Sequence, residues 1–243
     1  MNRLVAELLR ARLRVAGADP LVTYYDVGKG ERVELSAVTF ANWVAKTANL
    51  LSWEVSVGSG DAVALPLAVE APGHWMTAVW EVALWQIGAY VDLSADATER
   101  ADVVVCGPDW QTYAAPTADV LACSLHPFAT GLGTELPPSV TDVDLAIRAQ
   151  PDSYTPIPVD PAALAWLDVE RRVSQAELSA APTGSAESDA PTRRLIVPID
   201  PWSTAQHGIL TALRSGGSVV IVVGGSVGDQ TKIGTAEHAD VGD

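Results

Sequence analysis

Side chains with catalytic or metal-binding chemistry are few and scattered in this sequence. Four histidines occur, and none forms a His-x-x-x-His pair or combines with a cysteine at the spacing of a zinc site. No Gly-x-Ser-x-Gly nucleophile elbow is present. The sequence therefore predicts no metal, no cofactor and no catalytic residue of these kinds. The histidines are His74, His126, His207 and His238.

His207 is the histidine most suited to contact a ligand. It follows Trp202 near the N-terminal end of a predicted helix. The alternative is a partly exposed helix residue without a binding role, which is the commoner fate of a single histidine. We keep Trp202 and His207 as a candidate ligand pocket.

The composition limits the classes of partner. The formal charge is −15, from 30 acidic and 15 basic residues, and such a surface repels nucleic acid. The two cysteines, Cys106 and Cys123, follow β-branched or apolar runs, so we expect buried thiols and no disulfide framework. Acidity of this kind is typical of a soluble protein.

The N-terminus predicts a helix that docks on its own domain. Leu4, Val5, Leu8 and Leu9 share one helical side, and Glu7 interrupts any signal-like apolar core. A membrane-surface helix is the alternative. No apolar run approaches the roughly 18 residues of a membrane span. We expect a cytoplasmic protein without membrane association.

Strands and helices alternate along the chain, which predicts an α/β fold with mostly parallel sheets and flanking helices. A first hairpin precedes a helix that Ser36 caps. Two strand–helix–strand units follow, each predicting a parallel pair with a right-handed crossover. Their strands are Asp61–Leu67 with Ala89–Val91, and Leu195–Val197 with Ser218–Val223.

The helix after His74 is apolar over most of its circumference. Trp75, Trp80 and Trp85 widen its apolar stripe, which is typical of a helix buried on several sides. A subunit interface is the alternative, and it would make these tryptophans a contact with a second copy or another protein.

The rest of the chain predicts one α/β domain of residues 1–178 and 193–223, with a helix from Pro161 to Val173. Ser179–Thr192 has no large apolar side chain and predicts a flexible linker. Residues 224–243 predict a polar tail that frays. Its Gly224–Asp229 segment follows a strong strand, but we interpret it as an exit loop and not as a phosphate cradle.

The order of several short motifs resembles the N-terminal subdomain of the AMP-binding (adenylate-forming, acyl-CoA synthetase-like) superfamily. The family's proline falls on Asp92 and its histidine on Pro201, so the resemblance is incomplete. The matching residues are Gly60-Asp61-Ala62-Val63-Ala64-Leu65, Gly88-Ala89, Pro198 and Gly216-Gly217-Ser218-Val219-Val220.

The resemblance implies a glycine-rich loop with a lysine, which would hold ATP between Tyr154 and Leu195. The only candidate there, Pro182–Ser188, has one glycine and no lysine, and Glu187 and Asp189 add negative charge. The family's magnesium and ribose motifs are expected beyond Asp243. The sequence therefore predicts a catalytically incomplete homologue, a pseudoenzyme that does not form adenylates.

The sequence is compatible with three functional hypotheses. In the first, the chain binds an acyl or nucleotide-like ligand near Trp202 and His207, where the family builds its acyl pocket. In the second, it is a protein–protein interaction or oligomerisation module, and in the third it is one subunit of a split adenylating enzyme.

Overall fold

The computed structural model describes residues 3–114, 118–180 and 191–241. The strands are β1 (Pro20–Asp26), β2 (Glu31–Ser36), β3 (Ala62–Ala64), β4 (Tyr90–Leu93), β5 (Val103–Cys106), β6 (Asp119–Ala122), β7 (Val140–Asp142), β8 (Leu164–Asp168), β9 (Arg172–Ser174), β10 (Arg193–Ile196), β11 (Ser218–Val223) and β12 (Asp240–Val241). The α-helices are α1 (Val5–Ala16), α2 (Ala37–Asn49), α3 (Pro66–Glu70), α4 (Trp75–Ile87), α5 (Ala97–Arg100), α6 (Val143–Ala146), α7 (Gln175–Ser179), α8 (Pro201–Ala205), α9 (Thr211–Ser215) and α10 (Val227–Ala236).

The chain divides into two compact units, where the sequence predicts one domain. The first comprises Met1–Ala41, Pro72–Ala78 and Ser179–Asp243. It holds a five-stranded sheet in the order β12-β10-β11-β1-β2. The second comprises Asn42–Ala71 and Val79–Leu178, with a seven-stranded sheet in the order β7-β6-β5-β3-β4-β8-β9. The predicted α/β class with mostly parallel strands is confirmed.

The predicted hairpin and helix cap at the start of the first unit are present. β1 and β2 pair antiparallel, and Gly30 takes a left-handed φ of 69° in their turn. The amide of Lys29 donates to Asp26 Oδ1 at 3.0 Å. The amide of Thr39 donates to Ser36 Oγ at 3.1 Å, so Ser36 caps α2 as expected. The N-terminal helix α1 buries Val5, Leu8 and Leu9.

The second predicted strand–helix–strand unit runs from β10 to β11, which pair in parallel. Asp200 caps α8 by accepting from the Ser203 amide at 2.9 Å. A π-helical turn, Gln206–Leu210, joins α8 to α9, and Gly216 ends the helix with a left-handed φ of 71°. Gly217 has no room for a side chain, because a Cβ there would lie 1.9 Å from the Thr192 carbonyl oxygen.

The first predicted strand–helix–strand unit lies in the second unit of the chain, where β3 and β4 pair in parallel. β5 and β6 extend this sheet in parallel. All four residues of β5 are buried, as expected for a parallel strand covered on both faces.

The helix predicted from Pro161 to Val173 is wrong, because the structure forms the antiparallel hairpin β8–β9 there. Asp168 determines the turn: its Oδ1 accepts from the amides of Glu170 at 2.8 Å and Arg171 at 2.7 Å. A side-chain acceptor that binds the amides two and three residues further along the chain competes with a helix.

The polar tail predicted from Gly224 is also wrong, because α10 and β12 occupy it. Ser226 and Asp229 form a capping box, in which Ser226 Oγ accepts from the Asp229 amide at 3.2 Å and Asp229 Oδ2 accepts from the Ser226 amide at 2.9 Å. β12 pairs in parallel with β10. Of the predicted linker Ser179–Thr192, residues 181–190 lie outside the described part of the chain.

Candidate functional site

Trp202 and His207 lie on one continuous helical segment of the first unit. Trp202 is half-buried in α8, and His207 is exposed in the π-helical turn that follows. Arg214 anchors this turn, since its Nη2 donates to the Gln206 carbonyl oxygen at 3.2 Å and its Nη1 to Gln206 Oε1 at 3.3 Å. The backbone at Gly208 departs from helical geometry, with φ −86° and ψ −108°, so the helical segment is kinked directly after His207.

The three tryptophans of α4 are core residues. Trp75, Trp80 and Trp85 are 1%, 0% and 2% exposed, and Trp85 Nε1 donates to the Ala165 carbonyl oxygen at 3.0 Å. Burial on several sides, expected from the pattern, is what the structure shows. Because their own chain covers these side chains, they offer no exposed apolar patch to a partner in this fold.

Both cysteines are buried and unpaired by a disulfide, as the sequence predicts. Burial, with the nearby carboxylates of Glu70 and Asp109, raises the pKa of Cys106 to about 12. Burial and Asp144 also raise the pKa of Cys123 well above its usual value. The raised pKa values disfavour the thiolate, which is the nucleophilic form of cysteine.

Neither a metal centre nor a membrane-spanning helix is found in residues 3–114, 118–180 and 191–241. No group of three or more metal-ligating side chains occurs there. None of the helices has the length and apolar character that a membrane crossing requires.

A cavity of about 330 Å³ lies in the first unit between the β1–β2 hairpin and α10. This volume is within the usual range of small-molecule pockets, roughly 300–1,000 Å³. We call it the hairpin cavity. Its lining residues are Tyr25, Asp26, Val27, Gly30, Glu31, Arg32, Asp229, Lys232 and Ile233.

Glu237 forms the centre of a charged network beside the hairpin cavity. Its Oε1 accepts from the Tyr25 hydroxyl at 2.5 Å and from Arg32 Nε at 3.0 Å, and its Oε2 accepts from Arg193 Nη2 at 2.5 Å. Burial acts to raise the pKa of Glu237, but these hydrogen bonds hold it below the ordinary value of 4.5. The network ties the end of α10 to β1, β2 and β10.

Glu31 differs from Asp26, Arg32 and Asp229, which line the same cavity and have hydrogen-bond or salt-bridge partners. Its Oε2 is buried and accepts no hydrogen bond from the described residues. Burial, together with the carboxylates of Asp26 and Glu31, raises the pKa of the Tyr24 phenol. The sequence prediction missed this cavity because it treated α10 as a tail, although the Ser226-x-x-Asp229 pattern was a readable helix start.

A second polar cluster lies where the strand order of the seven-stranded sheet reverses, between β3 and β5. Glu70 accepts from the Tyr113 hydroxyl at 2.6 Å and from the Gly107 amide at 2.7 Å. Ligands of open parallel sheets often bind at such reversal points, beyond the carboxyl ends of the strands. Here the two donors already satisfy both carboxylate oxygens.

Solved structures show which fold this is. An acyl-CoA synthetase from Brucella canis matches with a TM-score of 0.77 at 15% identity, covering 99% of this chain and 47% of that protein. The N-terminal domain of FACL13 from Mycobacterium tuberculosis matches with a TM-score of 0.70 at 12% identity, covering 98% and 62%. The N-terminal subdomain of Klebsiella oxytoca NpsA, in complex with 3-hydroxyanthranilyl-AMSN, has a TM-score of 0.65 at 12% identity and coverages of 99% and 60%. The predicted resemblance to the N-terminal subdomain of adenylate-forming enzymes is confirmed.

The chain spans about half the length of the Brucella enzyme and about three fifths of the other two solved chains. The sequence matches no protein-family model. One curated relative is much more similar in sequence: the TIGR03089 family protein of Mycobacterium tuberculosis is 36% identical over 228 residues, covering 88% of this chain and 87% of that protein. At this identity and coverage, the chain belongs to the TIGR03089 family, and its fold is that of the adenylate-forming N-terminal subdomain.

Proposed function

We propose that the chain is a catalytically incomplete homologue of adenylate-forming enzymes that binds an acyl or nucleotide-like molecule without activating it. One observation carries this proposal. The segment Ser179–Thr192 has one glycine, no lysine and two acids, while the flanking β10–β11 unit keeps its parallel pairing and helical crossover. A triphosphate needs backbone amides and a cation, and the acids oppose it.

The proposed ligand pocket contains Trp202 and His207. A half-buried indole offers an apolar face to an acyl chain or a base, and an exposed imidazole offers a hydrogen bond. The buried Gln206 and its Arg214 contacts hold the π-helical turn that carries His207. Solved relatives with this fold bind anthranoyl-AMP and 3-hydroxyanthranilyl-AMSN, which motivates the choice of ligand class.

Isothermal titration of the full chain with AMP and with octanoyl-CoA tests the proposal. We expect saturable binding of one of them, weakened roughly tenfold by His207→Asn through the loss of a ligand hydrogen bond. The matched control is His238→Asn, because His238 is also exposed and asparagine tolerates its left-handed φ of 50°. An absence of heat with both probes would end the ligand-binding proposal.

The alternative is a protein–protein interaction module, and two exposed apolar residues offer a place to test it. Val197 and Ile199, beyond the end of β10, are 40% and 86% exposed. Analytical ultracentrifugation tests self-association through this surface: Ile199→Asp should shift any oligomer to monomer, and Val15→Asp, at an 87% exposed position on α1, should not. A strictly monomeric chain would contradict the oligomerisation hypothesis.

The hypothesis of a split enzyme predicts pyrophosphate exchange only when a complementary subunit is added.

A further inference from the structure

The apolar side chains that line the hairpin cavity rest on one buried cluster of the first unit. They are Tyr25, Val27 and Ile233, and the cluster that they pack against comprises Leu195, Val220 and Val222. Side chains packed on such a core have little freedom to move, because protein interiors are close-packed. The apolar wall of the cavity is therefore formed before a ligand arrives.

The Tyr25 hydroxyl is already engaged by charged neighbours. It donates to Glu237 Oε1 at 2.5 Å and accepts from Arg32 Nε at 2.9 Å. Arg32 also lies over the ring, with Cζ 5.6 Å from the ring centroid. These contacts fix the ring, so Tyr25 offers a ligand apolar ring surface and no free hydroxyl.

Two of the charged side chains that line the cavity have their ionic partners within the protein. Asp26 forms a salt bridge of 3.1 Å with Lys29. Arg32 forms salt bridges with Glu34 at 2.7 Å and with Glu237 at 2.9 Å. A charged ligand would therefore have to compete with these partners for Asp26 or Arg32.

The other three charged side chains of the lining offer an ion no better partner. Glu31 Oε2 is buried, so a ligand in the cavity cannot reach it. Asp229 accepts from the amide and hydroxyl of Ser226, and these hydrogen bonds, together with the charge of Lys232, lower the pKa of Asp229. Lys232 is exposed to solvent, and an anion beside it would compete with Asp229. An ion of either sign would thus lose hydration in the cavity without gaining a dedicated partner.

We propose that the hairpin cavity binds an uncharged, largely apolar molecule whose aromatic or alicyclic body packs on Tyr25, Val27 and Ile233. The cavity volume of about 330 Å³ suits a small ligand, and the burial of apolar surface supplies the affinity. The rim is open at the hairpin turn, because a Cβ at Gly30 would have no heavy atom within 4 Å. The site is independent of the ligand pocket proposed on α8 and the π-helical turn, because it lies on different elements.

Three probes that share one ring system separate apolar contact from charge: indole, tryptamine and indole-3-acetate. Each is titrated into the ¹⁵N-labelled full chain. Indole should give saturable shifts of the Val27, Gly30 and Ile233 amides. Tryptamine and indole-3-acetate should bind at least about fivefold more weakly, since each must desolvate a charge that the cavity does not pair. Tighter binding of either ion than of indole, or no saturable shift with indole, overturns the proposal.

Variants test the assigned wall. Ile233→Ala should weaken indole about fivefold, because it removes apolar contact surface, and Val27→Ala should also weaken it if the first variant fails to fold. Lys232→Met removes the charge, keeps an apolar stem and should leave the affinity for indole unchanged. Val169→Ala, at a position 77% exposed in the other compact unit, is the matched control and should also leave it unchanged. Unchanged affinity in the folded wall variants, or a loss in Lys232→Met, contradicts the site.

Discussion

The two compact units accommodate buried carboxylates in opposite ways. In the first, Glu237 is ionised and bonded by Arg32, Arg193 and the Tyr25 hydroxyl. In the second, Glu81 is 3% exposed in the apolar helix α4, and no salt bridge among the described residues reaches it. The same side chain type thus has a lowered pKa in one unit and a raised pKa in the other.

The two carboxylates therefore contribute to stability with opposite dependences on pH. Hydrogen bonds lower the pKa of Glu237, although burial opposes them, so its contribution to stability is present above the unfolded pKa and is lost as the pH falls. Burial alone raises the pKa of Glu81 well above 4.5, so its neutral form is favoured in the fold. Stability from that group is greatest below the unfolded pKa and declines as the pH rises.

The largest expected effect tests whether the second unit depends on apolar burial. Trp80→Ala should lower the free energy of unfolding by about 3–5 kcal/mol, because it removes a fully buried indole and leaves a cavity. Urea denaturation measures it. Trp53→Ala, at a position 78% exposed, is the matched control and should cost no more than about 0.5 kcal/mol. Equal effects would contradict the assignment of α4 to the core.

Glu237→Gln tests the ionic network of the first unit. We expect a loss of about 2–3 kcal/mol in the free energy of unfolding at pH 7, since the two arginines keep their charge and lose their anion. The difference from wild type should shrink as the pH falls below 4.5 and both forms become neutral. Urea denaturation at a series of pH values measures this. A loss of unfolding free energy that does not change with pH would show that only packing is involved. Glu135→Gln, at an exposed position, is the control and should not change the stability.

Glu81→Gln should have the opposite sign. At pH 8 we expect a gain of about 1–2 kcal/mol in the free energy of unfolding, because glutamine has no proton to lose in the core. The gain should disappear near pH 4.5, where the unfolded glutamate also begins to be protonated. Chemical denaturation at the two pH values measures it. A destabilisation at pH 8 would mean that an ionised Glu81 has a partner.

The smallest expected effect concerns α10, which forms one wall of the hairpin cavity. Ser226→Ala removes the cap of this helix and should cost about 1 kcal/mol. Hydrogen exchange at Ile233 should accelerate accordingly. Ser153→Ala, at an exposed position of the other compact unit, is the control and should change neither the stability nor the exchange.

Elements with a strong apolar pattern were predictable, and elements determined by turn chemistry were not. The apolar stripe predicts the helix α4, and the β-branched run predicts the strand β11. Both patterns are strong because burial requires apolar residues at a fixed period. The stretch from Pro161 to Val173 also carries helix-like spacing, but the side chain of Asp168 closes a two-strand turn. The glycine and polar residues of α10 give no apolar pattern that predicts a helix, although a capping box begins it.

The candidate site shows the same division. That Trp202 and His207 share one helix follows from the sequence, since they are close along the chain. The bond between Arg32 and Glu237 joins residues 205 positions apart, and no local pattern encodes such a contact. The burial of Glu31 Oε2 depends on the three-dimensional fold in the same way.

The proposed function requires that this chain, unlike an adenylate-forming enzyme, does not bind the triphosphate of ATP preferentially. The most direct measurement compares the affinities of MgATP and AMP for the full chain by isothermal titration. We expect MgATP to bind no more tightly than AMP, because residues 179–192 supply no lysine and add two acids. MgATP binding at least tenfold tighter than AMP, a difference of about 1.4 kcal/mol, would contradict it.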